Sequence, residues 1–511
     1  MEPILLVHGY SAESAEDNAA EAARIFGTLP NDLRANLPGE QILDINVSRY
    51  ISLDDGVDVE DITLAFDRAL KNDFSELYNK GFNAIVHSTG ALVLRNWVRR
   101  CCEPKKPSAC RRIIYLAGAN LGSGWAHLGE SELAKWLRFI FEGGRNFIAP
   151  IRYAKEDGSD GVVRVAASNL NHIHVRIGPT QSPVGVDWNK AVEFSRRTVA
   201  ASADGNLADF TPGSRFAGGD YYRLLEENCP GEHRPGVPFA IPYNCAHTAP
   251  DVGIVSGNQN RELVMPLICN ALNCTIPNYS ELVAEFEAET NKTYEMAANE
   301  VEHHERLSTQ RLLLRIANTA AQFLEAFSIQ PQAQYDRHAQ VSIRVRDQHG
   351  SPIENYSVHF NPFGGGARPN VLINDLFEDT HQNRASPDTI TFYLRLEKWE
   401  PQQKTWINRL NEVNGVDLEI DCIDPKTQRI TFVPLRMRLD ATILARYLQP
   451  HRATLIDVEL LRLPARETFS IFPFRNGSNP EGQTPATGLA RLWQRVRSRW
   501  KPASSAALAH C

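Results

Sequence analysis

FNAIVHSTGALVLRNW, residues 82–97, is the stretch whose reading decides the fold. Residues 82–87 are apolar almost throughout and read as a short buried strand, while from Ala91 onward the apolar residues recur at helical spacing. Between the two halves sits Val86-His87-Ser88-Thr89-Gly90, close to the G-x-S-x-G turn that lifts a serine on a sharp strand-to-helix bend. Such a bend needs small neighbours, because the serine is held at strained backbone angles and its flanks approach closely. Gly90 meets that need; Val86 stands where the pattern has its first glycine. The competing reading is an ordinary helix start capped by Ser88 or Thr89.

Working outward, the flanks repeat the same alternation. Residues 3–7, Pro-Ile-Leu-Leu-Val, form a continuous apolar run suited to a central strand of a mostly parallel sheet, and they end in His8-Gly9-Tyr10-Ser11. A glycine there lets backbone N–H groups turn toward a ligand. Residues 17–25 read as helix, 41–47 as strand and 58–70 as helix with acidic residues in its first turn. Residues 112–117 are another buried strand. Strands alternating with helices at this spacing predict an α/β fold with a doubly wound, mostly parallel sheet.

At 511 residues the chain exceeds one ordinary core, so two or three domains are expected. It is 42% hydrophobic and 23% charged with a formal net charge of -7, which argues against nucleic acid as a main partner. No apolar run is long enough to span a bilayer. Glu2-Pro3 leads straight into a strand without a basic n-region or cleavage site, so a cytoplasmic protein, or one secreted without an N-terminal signal peptide, is expected. Nine cysteines are scattered without a C-x-x-C pair, so a zinc ribbon is not expected. They read as reduced, buried thiols, with a Cys269–Cys274 bridge as the alternative.

Taken together, Leu5-Leu6-Val7-His8-Gly9-Tyr10, His87-Ser88-Thr89-Gly90 and the segment Leu116-Ala117-Gly118-Ala119-Asn120-Leu121-Gly122-Ser123 resemble the α/β-hydrolase superfamily, within it the bacterial lipases and esterases. The resemblance covers roughly the first 275 residues. It implies a Ser…Asp…His chain order. Asp160, in Gly158-Ser159-Asp160-Gly161-Val162-Val163, matches the family's D-G-x-V turn, with residues 147–153 as the preceding strand and Asp157 as the competitor. His247 follows the expected strand at 237–243 and precedes an amphipathic segment at 263–272. His172 and His174 are its rivals, but they alternate on an apparent strand and follow Asp160 too soon. The implied chemistry has His247 take the proton from Ser88 Oγ while Asp160 holds the imidazole, with backbone N–H groups of Tyr10 and Thr89 binding the oxyanion. No cofactor and no metal are called for.

Two insertions bear on the substrate. Residues 123–146 include a strongly apolar helical stretch from Trp125 to Phe141 suited to a lid or a fixed cap, and 184–236 is a long mixed excursion that would roof the same pocket. Residues 279–330 read as a helical connector. Its Glu302-His303-His304-Glu305 run lacks H-E-x-x-H spacing and reads as a solvated face. From Ala339 the periodicity becomes two, and runs at 389–396, 416–423, 429–437, 454–461 and 468–474 predict a C-terminal all-β sandwich over 338–475, loosely similar to modules attached to lipolytic enzymes. Gly364-Gly365-Gly366 has no following Lys-Ser/Thr and is not a phosphate cradle. Residues 476–511 comprise a linker and a basic amphipathic helix with Trp493 and Trp500, suited to a membrane surface or to docking on the acidic protein.

The expected domains are therefore an α/β-hydrolase unit at 1–278, the connector, the sandwich and the tail. The expected function is hydrolysis of carboxylic esters of lipids, by a lipase, phospholipase or esterase. Delivery to a competitor's membrane by a signal-independent route would link the missing signal to the basic tail. The alternatives are an inactive hydrolase-fold binding or scaffold protein, which Val86 favours, and an acyltransferase using the same triad.

Overall fold

The first strand, β1 (Ile4–Val7), is buried on both sides, as its unbroken apolar run requires. The computed structural model describes residues 2–9, 26–37, 45–47, 50, 56–102, 109–122, 159, 163–180, 182–187, 189–191, 221–245, 247, 261–314, 335–362, 375–382, 386–422, 429–465 and 468–471. After β1 come α1 (Leu29–Asn36), β2 (Ile45–Val47), α2 (Val59–Arg68), α3 (Ser75–Lys80), β3 (Phe82–His87), α4 (Gly90–Cys101) and β4 (Cys110–Leu116). Asp58 starts α2 with a capping box, its carboxylate accepting from Asp61 N–H while the Asp61 carboxylate accepts from Asp58 N–H.

These four strands form a parallel sheet in the order β2-β1-β3-β4. Alternation decides which helices cover which face. Ile4, Leu6, Ile85 and Leu116 pack with Leu29 and Leu33 of α1 and with Val264, Ile268 and Leu272. Leu5, Val7, Ala84 and Val86 pack with Leu77 of α3 and with Leu94 and Trp97 of α4. Val86, the departure from the serine-turn pattern, is thus fully buried among helix side chains, where its bulk fills space. Strand order reverses between β1 and β3: from β1 the chain steps to β2 on one side, and from β3 to β4 on the other. In open α/β sheets ligands bind at that switch, outside the carboxyl ends of the strands.

The chain continues through α5 (Val165–Ser168), β5 (Ile173–Pro179), β6 (Tyr222–Asn228), α6 (Arg261–Asn273) and the 36-residue α7 (Tyr279–Leu314). The expected helices at 263–272 and in the connector are present. Glu302 of the Glu-His-His-Glu run is paired with Lys404 at 3.1 Å; the histidine side chains lie outside the described residues, as do 123–146, 192–220 and 472–511. No described helix is long and apolar enough to cross a membrane.

Beyond residue 335 come β7 (Arg337–Asp347), β8 (Tyr356–Pro362), β9 (Phe377–Gln382), β10 (Thr389–Glu400), β11 (Thr405–Asn408), β12 (Gly415–Cys422), β13 (Ile430–Phe432), β14 (Leu435–Asp440), α8 (Ala441–Tyr447) and β15 (Ala453–Leu460). A seven-stranded sheet runs β11-β10-β7-β15-β5-β6, with β9 also paired to β10, and a three-stranded sheet runs β14-β12-β8. Their facing sides share one core, in which Val341, Ile343, Ile456 and Val458 meet Leu418, Ile420 and Met437.

The larger sheet crosses the boundary expected at residue 278. β15 pairs in parallel with both β7 and β5, and β6 adds antiparallel to β5. The sheet is therefore mixed, and two of its strands come from residues that the sequence assigns to the first domain. Ile173, Val175 and Ile177 alternate as in any half-buried strand, and such alternation does not name a partner some 280 positions away. Residues 468–471 lie in no strand, against the run expected at 468–474. Cys269 and Cys274 are free thiols, which excludes the alternative of a bridge between them. The chain separates into two compact units, residues 1–463 and 464–511. In the second, Thr468 N–H donates to Ala465 O at 2.9 Å.

Two stability effects follow. Trp97 is fully buried, donates its indole N–H to Asp67 and meets Phe66 edge-on. Trp97→Ala should cost about 3–5 kcal/mol in urea unfolding, from lost burial and a remaining cavity. His451 is half-buried with its ring stacked on that of Tyr294, and desolvation, with Arg337 and His338 near it, pulls its imidazole down to about 3. The native state therefore resists a proton that the unfolded chain accepts from about pH 6.5 downward. Stability present above that pH should be lost between about 6.5 and about 3, at up to about 1.4 kcal/mol per pH unit. His451→Asn, which tolerates the positive φ of 62° there, should flatten that slope in urea titrations read from pH 6 to 4.

Candidate active site

The elbow forms because three backbone segments crowd together at the switch point. Ser88 has φ of 54°, a left-handed conformation that costs a non-glycine residue energy and persists only where neighbours enforce it. Two backbone bonds do so: Ser88 N–H donates to Leu116 O and Ala119 N–H donates to Ser88 O, both at 3.2 Å. A Cβ on Gly90 would lie 2.5 Å from His8 O and 2.8 Å from Val7 O, so only glycine lets α4 start against the end of β1. A Cβ on Gly9 would lie 2.5 Å from Ser88 Cβ and 3.2 Å from its Oγ, which places the Gly9 backbone directly against the serine. Thr89 is the N-cap residue of α4 but makes no side-chain capping bond, which counts against the simple helix-cap reading. The first N–H groups of a helix have no acceptor within it and favour negative charge.

The loop after β1 is locked by Tyr50. Its backbone N–H donates to His8 Nε2 at 2.9 Å, its hydroxyl donates to His8 O at 2.7 Å, and the two rings stack at 4.1 Å. Burial raises the phenol pKa, opposed in part by the Thr89 hydroxyl, so Tyr50 stays a neutral donor. The sequence offers no sign of this lock, since Tyr50 is 42 positions from His8.

His247 is brought to the same edge. Its ring lies 4.6 Å from that of His87, tilted by 37°, and both residues are buried. His87 Nε2 is 3.2 Å from the backbone oxygen of His247, so with a proton on that nitrogen the ring donates to it. The residue immediately before Ser88 thus holds the segment that carries His247. The motif contains His87 in plain view, yet its spacing alone assigns it no task. Asp160, Asp157 and Tyr10 lie outside the described residues. Ser159 forms an antiparallel bridge with Arg164.

The rival histidines sit in other surroundings. Burial and the charges of Arg234 and Arg95 bring His172 down to about 4, and its backbone oxygen accepts from Arg234 at 2.9 Å. His174 Nε2 sits 3.0 Å from Asp457, a carboxylate also held twice by Arg344 at 2.7 Å. Among the described residues one cluster has metal-ligand chemistry: donor atoms of Cys229, Glu232 and His233 lie within 4.8 Å of one another. Arg446 already supplies a cation there, 2.6 Å from Glu232, and His233 Nδ1 accepts from Cys229 N–H at 3.0 Å. The cluster is a closed turn rather than an ion cage.

His87→Phe keeps a ring against His247 but removes the bond to its backbone. If the elbow is catalytic, esterase turnover should fall about ten-fold, the share of one net hydrogen bond, with little change in melting temperature.

No family model matches this chain, and no curated protein matches it. Among solved structures, two of phospholipase PlaB from Legionella pneumophila resemble it, one of them in complex with thio-NAD, at TM-scores of 0.61 and 0.63 with 18% sequence identity. The matches cover 94% and 95% of this chain and 97% and 98% of those chains. A likeness of that extent at such low identity establishes a shared fold: this chain has the mixed α/β architecture of those structures.

Proposed function

We propose that this protein is a serine hydrolase of lipid carboxylic esters, built on an α/β-hydrolase type of doubly wound sheet joined to a β-sandwich. The observation that carries the reading is Ser88. It is held at a left-handed φ at the carboxyl end of β3, between Gly9 and Gly90, at the switch point of the parallel sheet. A buried serine in that conformation is expensive to maintain, and strain of this kind gathers at working sites. The fold shared with a phospholipase supports a lipid ester as substrate.

In this mechanism His247 removes the proton from Ser88 Oγ as the oxygen attacks the ester carbonyl, and Asp160 orients and stabilises the resulting imidazolium. The backbone N–H groups of Thr89, at the start of α4, and of Tyr10, beyond the Tyr50-locked loop, receive the oxyanion. The alcohol leaves with the proton from His247, and water activated by the same histidine releases the acid from Ser88. An anionic membrane surface is a further partner in this reading, through the basic sequence at residues 489–501.

The test is covalent labelling by a fluorophosphonate alongside hydrolysis of p-nitrophenyl esters and phospholipid vesicles. Wild-type protein should label and Ser88→Ala should not, while Ser88→Ala and His247→Gln should each lower turnover by about a thousand-fold or more. Labelling that survives Ser88→Ala would refute the assignment. Hydrolysis that is unimpaired by Asp160→Asn would move the acid elsewhere. Acyl transfer to added alcohol in preference to water would make the protein an acyltransferase.

A further inference from the structure

We propose that Glu378, on β9 of the seven-stranded sheet, is a positioning residue for the serine elbow, acting through Arg164. The proposal rests on the reading of Ser88 as a nucleophile.

The elbow is closed by the turn after β4, where Ala119 N–H donates to Ser88 O. That turn is shaped in its own right by α5. Leu121 N–H donates to Ala167 O at 3.0 Å, Asn120 Nδ2 donates to Ser168 O at 2.8 Å, and Ala119, Leu121, Val163 and Ala167 share a small apolar cluster. Arg95 of α4 adds bonds to Asn120 O at 2.9 Å and to its Oδ1 at 3.3 Å. A single four-residue turn of helix cannot hold its own position, because one or two hydrogen bonds do not repay the ordering of the chain. What fixes α5 lies at its two ends, and both anchors belong to the seven-stranded sheet or its loops.

At the leading end Arg164 is only 4% exposed. Its guanidinium donates to Glu378 at 2.9 Å and lies 4.1 Å over the Tyr393 ring. At the trailing end Asn169 Nδ2 donates to His451 O at 2.8 Å. Gln340 Nε2 of β7 also reaches Leu121 O at 3.3 Å. The charges around Glu378 are Arg164 from the α5 segment, Arg395 at 2.8 Å from β10 and His338 at 2.9 Å from β7, with Asp336 lying 3.8 Å beyond Arg395. Burial opposes ionisation of Glu378, but the hydrogen bond from His338 and the guanidiniums of Arg164 and Arg395 outweigh it and hold the carboxyl well below the usual range. One carboxylate therefore gathers two guanidiniums and an imidazole from three elements. Without it, Arg164 is a buried cation that has lost its carboxylate and keeps only the face of the Tyr393 ring, and it must move. Displacing Arg164 displaces α5, then the 119–121 turn, then the bond to Ser88 O.

The test uses the full chain. Glu378→Gln should slow fluorophosphonate labelling of Ser88 and lower kcat for a p-nitrophenyl ester about 10- to 100-fold, as misplacement of catalytic groups by about an ångström does. KM should stay within about two-fold, because no substrate contact is lost. Hydrogen exchange at the amides of Leu121 and residues 167–169 should quicken, and Glu378→Asp should recover part of both effects. Arg344→Gln, which breaks a pair elsewhere on the same sheet, should change none of these. If Glu378→Gln does not fold, Arg164→Lys keeps the charge but loses the forked reach, and the same pattern should follow at smaller amplitude.

Labelling and exchange at wild-type values in the folded variant would overturn the proposal. So would a loss that matches only the unfolded fraction. A wild-type protein that never labels would sink the hydrolase reading and the positioning role with it, whereas unchanged exchange in Glu378→Gln would sink the anchor alone.

Discussion

The site depends on how closely three backbones approach one another at the carboxyl ends of β1 and β3. The carbonyls of Val7 and His8 stand where a Cβ on Gly90 would be, and the Gly9 backbone lies against Ser88. Only with those contacts in place can β3 turn into α4 within two residues, and only that turn forces Ser88 into its left-handed conformation. The left-handed conformation of Ser88 is therefore a consequence of close packing between strand ends, and the Tyr50 lock on His8 keeps one side of that packing from moving.

Burial on both faces of the small parallel sheet makes such packing stable. Leu5 and Val7 look toward α4, Ile4 and Leu6 toward α1 and α6, so β1 cannot shift by one residue without exchanging two helix-packed faces. The carboxyl edge is left for polar groups. There the buried residues are His8, His87, Ser88, Asn120 and His247, each needing a partner in a region of low polarity. His87 answers this by reaching the His247 backbone, and Asn120 by bonding to Ser168. Polar satisfaction and placement of Ser88 and His247 are the same requirement at this edge.

The seven-stranded sheet is more than an appendage. It borrows β5 and β6 from the middle of the chain, so the segment that leads from α5 into β5 runs from one sheet to the other. The contacts along that seam are polar and directional: Arg164 with Glu378, Asn169 with His451, Gln340 with Leu121. Directional contacts of this kind fix orientation more than they add stability, because removing charges from water offsets much of what their pairing gains.

The sequence by itself determined the local facts. The apolar run at 82–87 followed by helical spacing from Ala91 predicts strand, bend and helix at their observed positions, and glycine at 9 and 90 marks where backbones meet. Period-two alternation likewise marks β7, β10, β12 and β15, because which side of a strand is apolar is written in consecutive residues. Partners distant in the chain are not written there. Nothing near Ile173 says that β5 lies beside β15, nothing near His87 says that its ring meets His247, and nothing near Arg164 announces Glu378, 214 positions later. Those pairings follow from the simultaneous closure of two sheets around shared cores, and tertiary structure alone decides them.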